Sequence, residues 1–146
     1  MVSSDDPHVS PTALVDAAYD LVSFEPGSEP SWDAFRALFL PQSILTLRVF
    51  PDDIAVSVMN LDQYVEKQIR EGMKEEGYTE TPIERTELVF RDIAEVRVLF
   101  AMQFGDAEPY KAIDVYQLIR IDGRWLIASI ASDILMPGEA VPTAFG

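Results

Sequence analysis

The sequence predicts an α+β domain in which two or three N-terminal helices pack on a curved antiparallel sheet. Three observations carry that prediction. Apolar residues recur at helical spacing before Gly77 and at a period close to two after it. Asp122-Gly123 separates two β-rich runs, the dipeptide favoured in tight hairpins. The helical and β patterns are segregated along the chain rather than alternating, which favours helices on one face of an antiparallel sheet.

The first helix starts at Ser10-Pro11, with Ser as N-cap and Pro in the first turn. Its apolar stripe is Ala13, Leu14, Ala17, Ala18, Leu21 and Val22, and Glu25-Pro26-Gly27-Ser28 ends it. Ser31 caps a second helix with the stripe Trp32, Phe35, Leu38 and Phe39, and Pro41 is its expected stop. Two short β runs follow, at 43–50 and 54–59. Asn60 caps a third helix, with Gln63 placed to close a capping box. Leu61, Val65, Ile69 and Met73 give this helix one continuous face down to Gly77, and Glu66 and Arg70 are set for an i,i+4 pair. Strands are expected at 82–91, 94–104, 112–121 and 124–134. Residues 10–135 read as one domain, 1–9 as a loose polar leader, and 136–146 as a Pro/Gly-punctuated tail.

The chain has 146 residues, 48% of them hydrophobic, which is enough for one substantial core. Eleven Lys and Arg against 25 Asp and Glu give a net charge of −14. Such a chain repels phosphate backbones and anionic lipid, so neither nucleic acid nor membrane is an expected partner. With no cysteine, disulfides and thiolate chemistry are excluded. The start of the chain has no basic and apolar signal-peptide pattern, and no apolar run reaches the ~20 residues of a membrane span. A cytoplasmic location is the expectation. His8, the single histidine, falls in the leader, which argues against a His–Asp dyad or a histidine-rich metal site. No phosphate-binding Gly-rich loop or nucleophile elbow is present, and no cofactor or metal is expected.

A two-residue Asp-Gly loop sets the register of the last hairpin, with Ile121 opposite Arg124. One face then carries Ala112, Asp114, Tyr116 and Leu118 with Trp125, Ile127, Ser129, Ala131 and Asp133. The other carries Ile113, Val115, Gln117, Ile119 and Ile121 with Leu126, Ala128, Ile130 and Ile134. Both faces are largely apolar, whereas a sheet with one wet side alternates apolar with polar. Helices cover one face, and a second copy of the chain is the economical cover for the other. Gln117, Ile119, Leu126, Ala128 and Ile130 are the expected homodimer contacts, with Gln117 as a hydrogen-bonding pair across the two-fold.

The segment Asp122-Gly123-Arg124-Trp125-Leu126-Ile127, running on to Ser129-Ile130-Ala131-Ser132-Asp133, resembles the last strand of the nuclear-transport-factor-2-like superfamily, also called ketosteroid-isomerase-like or polyketide-cyclase-like. Met59-Asn60-Leu61-Asp62-Gln63-Tyr64 is similar to the superfamily's usual entry into the third helix. Gly77-Tyr78, Glu84-Arg85 and Ile93-Ala94-Glu95-Val96 resemble a bacterial branch of it, with Glu95 standing where that branch has a histidine. The resemblance covers roughly residues 10–135. It implies a cone: a long curved sheet wrapped around helices, leaving a pocket, in a protein that is commonly a homodimer. The scaffold hosts isomerases, dehydratases, cyclases, ligand-binding modules and interaction domains, so it fixes no activity.

On the hairpin register above, Asp114 and Asp133 are diagonal neighbours, and with Tyr116 they form the candidate catalytic set, Tyr19 and Tyr64 being the alternatives for the Tyr role. Two buried carboxylates would share a proton beside a Tyr hydroxyl, as ketosteroid isomerases arrange an Asp base with an oxyanion-holding Tyr and Asp. The competing reading puts both Asp residues in solvent or in ion pairs. Tyr19, Trp32 and Phe35 could wall a pocket for a small apolar molecule or could be plain helix core. Arg97 could clamp a ligand carboxylate or pair with Glu87 or Glu95, and Arg48 poses the same choice. Ser129 lies beside the carboxylates. Three functions follow in order: a small-molecule-binding domain with an apolar pocket, a cofactor-free isomerase, cyclase or dehydratase acting on a small carbonyl compound, and a protein-interaction module.

Overall fold

In the computed structural model, which describes residues 6–145, a six-stranded sheet carries the helices on one face. In chain order the elements are α1 (Pro11–Val22), α2 (Trp32–Arg36), β1 (Phe39–Leu47), β2 (Ser57–Asn60), α3 (Leu61–Gln68), α4 (Met73–Glu76), β3 (Tyr78–Phe90), β4 (Ile93–Phe104), β5 (Tyr110–Ile121) and β6 (Arg124–Leu135). The sheet order is β2-β1-β6-β5-β4-β3. Neighbours are antiparallel except β1 and β6, which run parallel. One apolar core joins Leu14, Val15, Tyr19 and Val22 of α1 to Leu45, Val96, Val98, Tyr116 and Ile127 of the sheet.

Ser10 caps α1, its hydroxyl accepting the Ala13 N–H at 3.0 Å. The leader is not loose where it is described: Pro7–Val9 forms a single 3₁₀ turn, and His8 is buried with Nδ1 2.9 Å from the Trp125 carbonyl oxygen. Residues 1–5 of the expected leader and the last residue of the tail lie outside the described residues. The second helix is shorter than its stripe predicts, because Phe39 is already in β1 and bridges Ile127. Pro41 is tolerated inside β1 because the pairing with β6 is interrupted between Phe39 and Ile44, so its missing N–H breaks no ladder bond.

The continuous third helix is corrected to two. Asn60 and Gln63 close the capping box, at 2.8 Å from the Gln63 N–H to Asn60 Oδ1 and 2.9 Å from the Asn60 N–H to Gln63 Oε1. The helix then stops at Gln68, Ile69 is extended, and Gly72 takes a φ of 88° that only glycine adopts freely. Arg70 forms no pair with Glu66. Its guanidinium binds Asp52 at 2.6 Å and lies 3.8 Å from the centre of the Phe50 ring. The spacing by four still delivers Leu61 and Met73 to the core, through two short helices instead of one. Neither helix is long enough to be stable alone, so the cap matters. Asn60→Ala should lower stability by about 1 kcal/mol, read as a fall of roughly 3 °C in a thermal melt.

The hairpin turn is as predicted, with Asp122 at φ 52° and Gly123 at φ 78°. The expected register holds from Ile121↔Arg124 to Leu118↔Ile127 and then shifts, so that Gln117 pairs with Ser129. Ala128 is the extra residue. Because side chains alternate, one inserted residue moves everything beyond it to the other face. Ile130, Ser132 and Ile134 therefore join Asp114 and Tyr116 on the helix-covered face, while Ser129, Ala131 and Asp133 turn outward.

Candidate functional site

The concave face of the sheet and the helices enclose a cavity of about 40 Å³. β5 supplies Ala112, Asp114 and Tyr116, β6 supplies Ile130, Ser132 and Ile134, and α3 supplies Tyr64 and Gln68. Glu80 comes from β3, and Arg48 stands just past the end of β1. The volume admits one or two waters or a single functional group. It is far below the roughly 300–1,000 Å³ of a drug-sized pocket. Phe35, Phe100 and Met102 occupy much of the interior that a larger ligand would need.

Asp114 is the polar centre. It is 7% exposed, and the Tyr19 hydroxyl donates to Oδ2 at 2.7 Å. The Tyr116 hydroxyl stands 3.5 Å from the same oxygen, and Ser132 is the cross-strand neighbour of Asp114. Glu80 sits across the cavity, and the buried Tyr78 hydroxyl donates to it. Among the described residues no ion pair reaches either carboxylate. Burial pushes Asp114 up to about 6, against the opposing pull of the Ser132, Tyr19 and Tyr116 hydroxyls. Burial, then the charge on Asp114, pushes Glu80 up to about 8, partly offset by the Tyr78 bond. Near neutral pH the two hold about one proton between them. Burial foremost, with Asp114 next, drives the Tyr19 and Tyr116 hydroxyls well above their usual range, so both remain donors.

Among the described residues Arg48 is the one cationic side chain on the cavity wall, and it is engaged elsewhere. Its Nε donates to Asp133 at 2.9 Å and one of its terminal nitrogens to the Asp53 carbonyl at 2.7 Å. Arg48 and Ser132 also border a broader groove on the outer face, lined by Ile113, Val115, Ala131 and Asp133, so the two spaces approach each other there.

No protein-family model matches this sequence. No curated protein matches it either. Among solved structures, a protein from Novosphingobium aromaticivorans described as NTF2-like with a cystatin-like fold superposes at a TM-score of 0.64, with 14% identity over 87% of this chain and 80% of that one. A candidate ketosteroid isomerase from Parabacteroides distasonis superposes at 0.62, with 14% identity over 94% of this chain and 96% of that one. A candidate calcium/calmodulin-dependent protein kinase type II association domain from Thiobacillus denitrificans gives 0.65, with 14% identity over 88% and 98%. The fold is NTF2-like. At these identities the likeness fixes architecture and leaves activity open.

Within the NTF2-like cone, the expected site is partly assembled and partly dispersed. Asp114, Tyr116 and Tyr19 meet inside, and Phe35 lines the cavity. Trp32 is half-buried and meets Phe35 edge-on with ring centres 5.4 Å apart, as part of the helix core. Asp133 is corrected out of the catalytic pair: it is opposite Ile113 on the outer face, held below the usual carboxylate range chiefly by Arg48. Ser129 is also outside, donating to Gln117 Oε1 at 3.0 Å. Arg97 faces outward and pairs with Glu95 at 2.9 Å, so it clamps nothing in the cavity. Ile130 is buried against the cavity and leaves the set of outer-face residues. Gln117, Ile119, Leu126 and Ala128 are on or beside that outer face. Sequence reasoning missed Glu80, Gln68, Ser132 and Tyr78. Starting β3 at residue 78 rather than 82 would have put Tyr78 and Glu80 on one face.

Proposed function

We propose that this chain binds a small polar molecule, or the polar end of a larger one, inside the cone, and that Asp114 meets it and exchanges a proton with it. The observation that carries this reading is a buried carboxylate on a cavity wall with no cation against it among the described residues. Burying an unpaired carboxylate costs several kcal/mol after relaxation, so a fold retains one chiefly where it has a task. Tyr19 holds Asp114 in place at 2.7 Å and so fixes the oxygen that faces the cavity. A large apolar ligand fits less well, because the cavity is only about 40 Å³ and Phe35 is packed against Phe39 and Tyr64. Asp114 offers a polar contact on a wall that is otherwise largely apolar.

A second reading, cofactor-free acid–base turnover on a small carbonyl compound, is favoured by the position of Asp114 between two hydroxyl donors. The structural neighbour described as a candidate ketosteroid isomerase supports it. We further propose that two copies associate through their outer sheet faces.

The test is a fragment screen followed by NMR of methyl groups. Interior binding shifts Met102, Ala112, Ile130 and Ile134, and Asp114→Asn weakens it at least tenfold. Hits that move only outer-face methyls such as Val58 and Ile113 would overturn the reading.

A further inference from the structure

The cavity wall holds two carboxylates and a bare amide oxygen, beside the hydroxyls of Tyr64, Tyr116 and Ser132. Asp114 and Glu80 offer about four lone-pair sites each when ionised. The hydroxyls of Tyr19, Tyr116 and Tyr78 already point at those carboxylates. Gln68 adds an independent sign. It is 4% exposed, stands on the cavity wall, and its amide oxygen has no hydrogen-bond partner. A buried acceptor left bare costs about 1–3 kcal/mol, and native folds rarely leave one without a reason. Arg48 directs two of its N–H groups to Asp133 and the Asp53 carbonyl and forms no ion pair with Asp114 or Glu80. Among the described residues, no other side chain on the wall is positively charged.

From this arrangement we infer that the occupant of the cavity is a small primary amine bound as its ammonium, with N–H groups directed at Asp114, Glu80 and Gln68. The inference rests on the interior-binding reading above and names its ligand class. An ammonium brings three donors and one positive charge to three acceptor groups carrying about one negative charge. A cavity of about 40 Å³ accommodates such a head group and excludes a bulky one. The net charge of −14 draws cations toward the protein and repels anionic competitors. A carboxylate would instead bring a further negative charge against Asp114 and Glu80.

Binding must compete with protons, because the same carboxylates are neutralised by acid. Affinity for an ammonium should therefore rise as pH rises through the interval from about 6 to about 8 in which Asp114 and Glu80 ionise. A lysine-like amine, with a pKa of about 10.4, stays charged throughout.

The experiment titrates the full chain with methylammonium, acetone and acetate at pH 5.5 and pH 8.5, following interior methyl shifts and the heat in buffers of different ionisation enthalpy. Methylammonium should bind at least tenfold more tightly at the higher pH, with proton release. Glu80→Gln and Asp114→Asn should each cost tenfold or more, and Gln68→Leu a smaller factor. The two isosteric variants remove buried charge and keep the volume, and the pH series on the parent protein answers the same question without them. If acetone or acetate binds inside and methylammonium does not, the amine assignment fails and the interior site stands. If none of the three shifts an interior methyl at either pH, both readings fail together.

Discussion

Converting Asp114 to Asn and Glu80 to Gln together should raise the melting temperature at pH 8.5 by roughly 10 °C and leave it little changed at pH 4. Proton linkage sets the direction. Both carboxyls have pKa values raised in the folded protein, Asp114 from 3.8 to about 6 and Glu80 from 4.5 to about 8. A group raised on folding binds more protons in the native state, so the native state loses ground as pH climbs from the unfolded value through the folded one. The loss begins near pH 4 and is complete above about pH 8. Each carboxyl contributes a few kcal/mol, and the two are not additive because part of the Glu80 shift is repulsion from Asp114. The amides keep the acceptor oxygens that Tyr19 and Tyr78 bond, although their buried NH₂ groups return part of the gain. Asp52 and Asp133 act in the opposite direction. Hydrogen bonds from Arg70 and Arg48 hold them low, so what they contribute is lost in acid. Stability should therefore peak on the acid side of neutrality. Melts of parent and double variant from pH 4 to 9 decide the matter: parallel curves would show that the interior carboxyls do not titrate as their burial demands.

Such a trade of stability for a charged interior is the part of the molecule hardest to see in the sequence. The architecture is legible because local signals agree with one another. Ser10-Pro11 begins a helix, Asn60 and Gln63 close a box, and Asp122-Gly123 makes the turn. The faces near that turn, Trp125 and Ile127 with Leu118, also follow from the turn alone. The site does not, because one residue intervenes. Ala128 carries no bulge signature, being neither Gly nor next to Gly or Pro, yet it reverses the facing of every later position in β6. An unbroken register therefore sets Asp133 diagonally beside Asp114 on one face and hides Ser132, the true neighbour. Tyr19 reaches Asp114 across 95 positions of sequence, a contact that no spacing rule supplies. The break after Gln68 is hidden for a related reason. Leu61, Val65, Ile69 and Met73 keep their period of four across it, although Ile69 is extended and Gly72 is left-handed at φ 88°.

The second large effect concerns the outer face of the sheet. Ile119→Glu should convert a dimer into a monomer, weakening self-association by roughly 1,000-fold, about 4 kcal/mol. Ile119 pairs with Leu126 across β5 and β6 and with Ile93 of β4, so it sits within an apolar stretch of one face. Ile93 is 54% exposed and Phe90 60%, and at the other end of the sheet Ile44 is 52% and Val58 72% exposed. This apolar stretch, beside the Arg97–Glu95 pair on the same face, is what the proposed association would cover. The proposed partner is a second copy of the chain, which would bring the same face. In a two-fold arrangement, residues near the axis meet their own counterparts. A glutamate introduced there faces its twin, and the existing charge of −14 on each chain adds to the repulsion. Gln117 accepts a hydrogen bond from Ser129 at 3.0 Å, which leaves its amide NH₂ to donate across the proposed two-fold. Sedimentation of the parent at micromolar concentration should give twice the chain mass of 16.3 kDa, and the variant the chain mass itself. A parent protein that sediments as a monomer would remove the second copy as the cover for this face. The interior carboxylates and their titration would stand untouched, since Ile119 does not line the cavity that holds them.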